Sequence, residues 1–360
     1  MTGTVYVNGR FLVQPQTGVN RYAYELCRAL NTLGVVFTII CPPKEINSCY
    51  DIASFRILHW GVGNSHFWEQ LVLPLFFLNK RKKDILLNFT GIGPVLHCRK
   101  VITIHDLAFL INSGWYKKSY RLLYRCLTPL SAATSLKILT VSHFSKNEII
   151  RLLHLKSAKI EVVYNAVPAC FHAAQRVSQV DDSEQRRYVL AVSSIDPRKN
   201  FERLLKAFQL LKDSQIDLYV VGGQSRVFAS LYQYENKESF EQINVKWFGR
   251  VSDDELTALY RKARCFIYPS LYEGFGIPPL EAMAMGCPVI VSDIPVLHEV
   301  CGDAALYTDP ADEEDIALKI KELCSNDVFR DLLINRGFKQ IGLYDWQVSA
   351  KKILTVIHHL

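Results

Sequence analysis

The sequence has no apolar run long enough to cross a bilayer. Its longest, residues 71–78 (LVLPLFFL), falls far short of the ~20 residues a spanning helix needs, and Pro74 interrupts it. The opening stretch, MTGTVYVNGRF, has neither the basic patch nor the apolar core of an export signal. Its apolar residues alternate like a buried first strand, and the expectation is a cytoplasmic protein. Ten cysteines are present, but none lie closer than Cys41 and Cys49, so CxxC and zinc-type spacings are missing. Reduced, mostly buried thiols are expected. HExxH, HxxxH, GxSxG, Walker A and GxGxxG patterns are also missing, so the sequence signals no metal and no P-loop. Nor is there a short-period repeat. With 49% apolar and 21% charged residues the chain is an ordinary globular one, and its 360 residues suit two domains.

What is present is unevenly spread. The net charge is +7, yet residues 1–170 hold 20 Lys+Arg against 8 Asp+Glu, and the remainder 22 against 27. Such asymmetry suggests that the first half faces an anionic partner. Its cations cluster at Lys80, Arg81, Lys82 and Lys83, at Arg99 and Lys100, and at Lys117, Lys118, Arg121 and Arg125. The last cluster is interleaved with Trp115, Tyr116, Tyr120, Leu122, Leu123 and Tyr124, a composition that can lie on an anionic membrane surface. A solvated helix face is the plainer reading. Nucleic acid fits poorly, because the cations are dispersed and no recognition motif accompanies them.

Hydrophobic patterning divides the chain into two strand–helix halves. The first predicts strands at 4–8, 35–40, 84–88, 100–104, 137–141 and 161–164, with helices at 19–30 and 142–153. The second predicts strands at 188–192, 218–221, 245–248, 265–268, 288–291 and 305–307. Between them a helix spans 200–211, and Ser252 and Glu255 form a capping box before another. The polar stretch 171–186 is the linker. The fold expectation is α/β: two Rossmann-like, doubly wound domains, with ligands at the carboxyl ends of the strands in the cleft the domains create.

The chemistry-bearing residues sit at predicted strand ends. Residues 268–281 read YPSLYEGFGIPPLE. Glu273 follows a strand; Gly274 and Gly276 permit tight turns and close backbone approach; Pro278 and Pro279 suit a first helical turn, which places Glu281 near that helix's N-terminus. A helix N-terminus attracts an anion, and flanking carboxylates suit hydroxyls, so the run matches a phosphate between sugars. A glycine turn with Glu281 merely stabilising the helix is the bland alternative. Residues 193–200 read SSIDPRKN, and adjacent Arg198 and Lys199 can neutralise a diphosphate, although a solvated pair with Asn200 as a helix cap is common. Gly18, in QTGVNRY, and His105, ending VITIHDL, are weaker signals. The former permits phosphate approach; the latter could contact a hydroxyl or an anion.

Taken together and in order, these runs resemble the retaining glycosyltransferases of family 4, which have the GT-B fold. The resemblance spans nearly the whole chain: TGVNRY, TIHDL, VSHFSKNEI, VVYNAV, DPRKN, WFGRVSDDEL and the E-x7-E element EGFGIPPLE. It implies an acceptor-binding domain at 1–170, a linker at 171–186, a nucleotide-sugar domain at 187–342, and a C-terminal helix, 343–360, crossing back to the first domain. By the same resemblance Arg198 and Lys199 bind the donor diphosphate, Glu273 the sugar hydroxyls, and Glu281 the ribose. Gly274, Phe275, Gly276 and Ile277 line the sugar and phosphate. Gly249, Arg250 and Val251 lie near the base, Gly18 near donor phosphate or acceptor, and His105 at the reacting sugar. Many relatives carry a basic residue where this chain has Ser193 and Ser194, which throws more of the phosphate binding onto the Arg-Lys pair.

The implied reaction is transfer of a hexose from a nucleotide-sugar donor to a saccharide or lipid-linked saccharide, with retention, without a cofactor, and with no metal, since no suitably placed DxD stands out. His105, Glu273, Arg198 and Lys199 would be its catalytic residues, and alanine at Lys199 or Glu273 should cut turnover by orders of magnitude while leaving folding intact. The chain looks most like the mannosyl- and rhamnosyltransferases of bacterial surface-polysaccharide assembly, so GDP-mannose is the expected donor; UDP-glucose, UDP-N-acetylglucosamine and dTDP-rhamnose are alternatives. A nucleotide-sugar epimerase and a non-catalytic sugar-nucleotide binder are the rival functions. The first half's charge adds peripheral contact with an anionic membrane, and no nucleic acid.

Overall fold

A computed structural model describes residues 3–171, 188–211, 216–223 and 244–360. The chain divides into two compact units, one of Met1–Ile111, Arg121–Asn165 and Asp345–Leu360, the other of Asn112–Tyr120 and Ala166–Tyr344. Residues 172–186 of the expected linker lie outside the described residues. Among those described, no helix is long and apolar enough to cross a membrane.

The first unit is built on seven parallel strands: β1 (Val5–Asn8), β2 (Phe37–Cys41), β3 (Ile57–His59), β4 (Ile85–Asn88), β5 (Lys100–Thr103), β6 (Lys137–Thr140) and β7 (Ile160–Val162). Their spatial order is β3-β2-β1-β4-β5-β6-β7. Apolar residues such as Val7, Ile39, Leu87, Ile102 and Leu139 are fully buried, as expected when helices cover both faces of a parallel sheet. Helix α1 (Gly18–Thr32) follows β1, capped by Thr17, whose hydroxyl accepts from the Asn20 amide.

The second unit repeats the plan with β8 (Tyr188–Val192), β9 (Asp217–Val221), β10 (Val245–Gly249), β11 (Cys265–Tyr268), β12 (Val289–Ser292) and β13 (Ala305–Thr308), in the order β10-β9-β8-β11-β12-β13. Val189, Leu218, Ile267 and Ile290 pack on Leu204 and Phe208 of α2 (Phe201–Leu210) and on Ile316 and Ile320 of a later helix, Glu313–Ser325. In each sheet the order reverses beside the first strand. At that switch point successive connections leave on opposite faces, which opens a crevice at the carboxyl ends of β1 and β4 in one unit and of β8 and β11 in the other.

The patterning located nearly every strand within two residues but missed β3, a three-residue strand whose His59 is exposed. The capping box is present: Ser252 and Glu255 satisfy each other's backbone amides ahead of Asp253–Lys262. The last helix, Trp346–His358, returns to the first unit, where Trp346 meets Tyr22 at 5.8 Å and Ser349 Oγ donates to the Tyr164 carbonyl at 2.7 Å. The expectation of mostly buried thiols holds for only half of the ten cysteines; Cys49, Cys98 and Cys126 are exposed. Trp115 and Tyr116, which the sequence pattern assigned to an anionic membrane surface, are instead buried.

Candidate active site

At the second unit's switch point, the loops leaving β8 and β11 are laced together. The Arg198 carbonyl accepts from the Leu271 amide at 2.8 Å. Asn200 is held in the left-handed region (φ +61°), which asparagine tolerates better than most residues. Its side-chain amide donates to the Pro269 carbonyl at 3.0 Å and the Pro310 carbonyl at 2.7 Å. Asn200 therefore binds the loops together rather than capping α2 through its side chain. The neighbouring loops join in register: Ser193 N donates to Val221 O, Ile195 N to Gly223 O, and Gly222 N to Gly249 O. Gly222 (φ +145°) is obligatory, since a β-carbon there would stand 1.7 Å from the Ser193 carbonyl oxygen.

Within this frame lies a buried ionic cluster. Lys199 Nζ donates to Glu273 Oε1 and to Tyr268 Oη, each at 2.6 Å, and Arg198 Nη1 lies 3.8 Å from Glu273 Oε2. Asp196 holds the turn: its carboxylate accepts from the Arg198 amide at 3.1 Å and from Ser194 Oγ at 2.8 Å. Burial raises the Glu273 pKa, but Lys199 and Arg198 outweigh it and hold the carboxyl below its usual range. Burial pulls the Lys199 ammonium down, Glu273 opposes, and Arg198 adds to the fall. For Asp196, burial dominates and raises the pKa against both cations. Two cations therefore converge on one carboxylate, with strand ends and loop amides around them. Because Lys199 and Glu273 are 7% and 6% exposed, a single alanine at either leaves a buried charge short of its partner. The expectation that folding would be untouched is corrected on that ground.

The remaining sequence-predicted residues fall as follows. Gly274, Phe275 and Gly276 form the buried turn after Glu273, and Gly276 (φ +107°) starts helix Ile277–Ala284, with Pro278 and Pro279 in its first turn. Both prolines lack an N–H, so the helix tip offers the amides of Gly276 and Ile277, neither of which takes a backbone partner among the described residues. Glu281 is the fifth residue of this helix, just past its first turn, because the helix begins at Ile277, ahead of both prolines; its Oε2 accepts from Tyr260 Oη at 3.2 Å. Gly249 (φ +64°), Arg250 and Val251 follow β10, with Arg250 exposed.

Gly18 and His105 belong to the first unit. Gly18 opens α1, and a β-carbon there would meet nothing within 4 Å, so the fold itself does not call for glycine. His105 follows β5. Its Nε2 lies 2.9 Å from the Phe89 carbonyl, which fixes Nε2 as the donor, and its ring meets Tyr22 edge-on at 4.8 Å. Burial lowers its pKa, partly offset by the Phe89 bond and Asp106, so the neutral ring is favoured and Nδ1 is left as an acceptor. That suits a hydroxyl rather than an anion.

A model of Glycosyltransferase Family 4 matches residues 16–169, and one of Glycosyl transferases group 1 matches residues 175–340. The O-antigen chain mannosyltransferase RfbU of Salmonella typhimurium is 32% identical over 335 residues, spanning 88% of this chain and 90% of that protein. The chain belongs to glycosyltransferase family 4. This glycosyltransferase is also 33% identical over 274 residues to O-antigen chain mannosyltransferase B of Escherichia coli, 71% of each chain. Among solved structures, WaaG, a glycosyltransferase involved in lipopolysaccharide biosynthesis, superposes with a TM-score of 0.71 at 16% identity, over 98% of this chain and 99% of that one. HepE of Anabaena, in complex with UDP, gives 0.71 at 15%, covering both chains fully. These likenesses establish the fold as GT-B.

Sequence reasoning missed the positioning role of Asn200 and the partners Tyr268 and Tyr260, because each acts on residues distant in the chain. It also missed Trp115, which belongs to the second unit and lines a pocket of about 250 Å³ with Pro197, Asn200, Phe201, Arg203 and Leu271. No spacing signals that contact.

Proposed function

We propose that this glycosyltransferase moves mannose from GDP-mannose, with retention and without a metal, to a saccharide or lipid-linked saccharide in the assembly of a cell-surface polysaccharide. The observation that carries the reading is the convergence of Arg198 and Lys199 on Glu273 where β8 and β11 end. In this reading the donor diphosphate lies against the two cations and the amides of Gly276 and Ile277, and Glu273 takes sugar hydroxyls. Ser194, hydrogen-bonded to Asp196, shapes the phosphate-binding turn rather than supplying charge. Glu281, steadied by Tyr260, takes the ribose, and the Gly249–Val251 turn flanks the base. Neutral His105 accepts a hydrogen bond at Nδ1 from a hydroxyl of the reacting sugar.

As the anomeric C–O bond breaks, negative charge grows on the leaving diphosphate, where Arg198 and Lys199 stabilise it. The leaving phosphate oxygen takes the acceptor's proton while the acceptor oxygen bonds to the anomeric carbon on the same face. No protein base is then required. The choice of mannose rests on two relatives named O-antigen mannosyltransferases. The test offers GDP-mannose, UDP-glucose, UDP-N-acetylglucosamine and dTDP-rhamnose to the enzyme with a mannose-terminated acceptor in EDTA. Acceptor-dependent consumption of GDP-mannose, giving a product with the donor's anomeric configuration, is expected. Preference for another donor, an inverted product, a sugar isomer without transfer, or dependence on added metal would each overturn the corresponding part.

A further inference from the structure

The second unit holds a cysteine pair that the candidate site does not use. Cys265 opens β11 and is fully buried; Cys324, half-buried, sits in the last turn of helix Glu313–Ser325. They stand 59 residues apart in the chain, yet their Sγ atoms are 3.9 Å apart. The helix packs on the sheet through Ile316, Ala317, Ile320 and Leu323, in the same core as Cys265. The backbone on either side is clamped. Arg264 donates from Nε to the Cys324 carbonyl at 2.9 Å and from Nη2 to Asp327 Oδ1 at 2.7 Å. Arg330 closes the frame, donating from Nε to the Arg264 carbonyl at 3.1 Å and from Nη1 to Asp327 Oδ1 at 2.8 Å. To reach the ~2.05 Å of a disulfide the sulfurs must close by about 1.9 Å, and the strand and helix that carry them are already tied together.

The two thiols are unlike. The hydrogen bond from Cys265 holds the Cys324 thiol below its usual range against burial, and Arg264 and Arg330 add to the fall. The same bond, together with burial, pushes the Cys265 thiol well up. One sulfur is therefore poised to attack as a thiolate, while the other keeps its proton. Cys27 and Cys41 lack that asymmetry, since burial pushes both thiols up and neither is primed.

We propose that Cys265 and Cys324 are a peroxide-reactive pair that closes to a disulfide, tying the start of β11 to the end of helix Glu313–Ser325. The Cys324 thiolate attacks one oxygen of hydrogen peroxide and breaks the O–O bond, forming the S–O bond of a sulfenic acid and releasing hydroxide. The Cys265 sulfur then attacks the Cys324 sulfur. The S–S bond forms, the S–O bond breaks, and the departing hydroxide leaves as water with the Cys265 proton. The first hydroxide takes the proton that Cys324 had released, so the two thiols give up two electrons and the peroxide ends as two waters. The bond lies at the start of β11, whereas Tyr268 and its Lys199 partner stand at the other end, so the modification is independent of which donor the enzyme uses.

Non-reducing peptide mapping of the full chain, before and after a small excess of hydrogen peroxide, tests it and needs no variant to fold. A linked peptide pair carrying Cys265 and Cys324 is expected, and dithiothreitol should undo it. A disulfide closing a loop of this length stabilises, so the oxidised chain should melt at least about 5 °C above the reduced one. Cys265→Ser should show neither link nor rise, and should leave Cys324 as a sulfenic acid that dimedone labels. Cys324→Ser should show no link and no label at Cys265. Both thiols free after peroxide, Cys265 linked instead to nearby Cys287, or an oxidised chain that melts no higher would each overturn the proposal. So would a Cys265→Ser chain whose Cys324 takes no dimedone.

Discussion

Replacing Lys199 by methionine removes the ammonium 2.6 Å from Glu273 Oε1 while keeping an unbranched apolar stem one atom shorter. At an effective dielectric of about 20, charges 2.6 Å apart attract by about 6 kcal/mol and those 3.8 Å apart by about 4, so Arg198 keeps part of the compensation. Breaking a buried pair costs about 3–5 kcal/mol, and the residual Arg198 contact places Lys199→Met near the lower end, about 3 kcal/mol. Glu273→Gln should cost a similar amount. In Lys199→Met/Glu273→Gln no buried charge of the pair is left, and stability should recover by about 1.5–3 kcal/mol relative to the sum of the singles. Turnover should not recover. If the lysine and the glutamate each touch the donor, both singles lose about 10²–10³-fold and the double stays at least as low. Urea denaturation and a nucleotide-release assay on the four proteins read the two quantities separately. A double variant that regains turnover along with stability would show the pair to be purely architectural and refute the reasoning.

Asn200→Ala loses the bonds to the Pro269 and Pro310 carbonyls and strains a backbone at φ +61°, so it should destabilise by about 2–3 kcal/mol; Asn200→Gly, which tolerates the dihedral, should cost less in the same denaturation assay. Gly18→Ala meets no neighbouring atom, so its melting temperature should match the wild type while turnover falls at least about tenfold through obstruction of substrate. His97, stacked on Phe77 at 4.1 Å, has its pKa lowered to about 4 by burial, with Lys100 and Arg99 adding to the fall. The folded state favours its neutral form, so its contribution is complete above the unfolded value of about 6.5 and is lost as pH falls through about 4. His97→Phe should flatten that limb of the stability–pH curve.

The strands and most motif positions were legible because each rests on local pattern: apolar runs such as YVLAV at β8 and CFIY at β11, closed by residues that leave the sheet. Strand β3 was not, since Ile57–His59 is short and only half shielded, and gives little periodicity. That Arg198, Lys199 and Glu273 would serve one ligand was implied by the family resemblance, not by spacing, and their direct pairing was not anticipated. Asn200 illustrates what local pattern hides. Its partners stand 69 and 110 residues away, so at the head of α2 it reads as a cap. Glu281 lies near the start of its helix, as the two prolines suggested, but the positive φ of Gly276, which sets where the helix begins, has no unique signature in the sequence. Within residues 71–78 the apolar run showed only that the segment was too short to span a membrane. Which of its leucines face outward depends on packing against Tyr6, Ile40 and Leu86.

The account's central claim is that Arg198 and Lys199 hold a nucleoside diphosphate where β8 and β11 end. Titration calorimetry of GDP into the full chain and into Arg198→Gln tests it without requiring an acceptor. The wild type should bind, and the variant should bind at least about tenfold more weakly through loss of a charged hydrogen bond. A wild type that binds neither GDP nor another nucleoside diphosphate, or a variant with unchanged affinity, would contradict it.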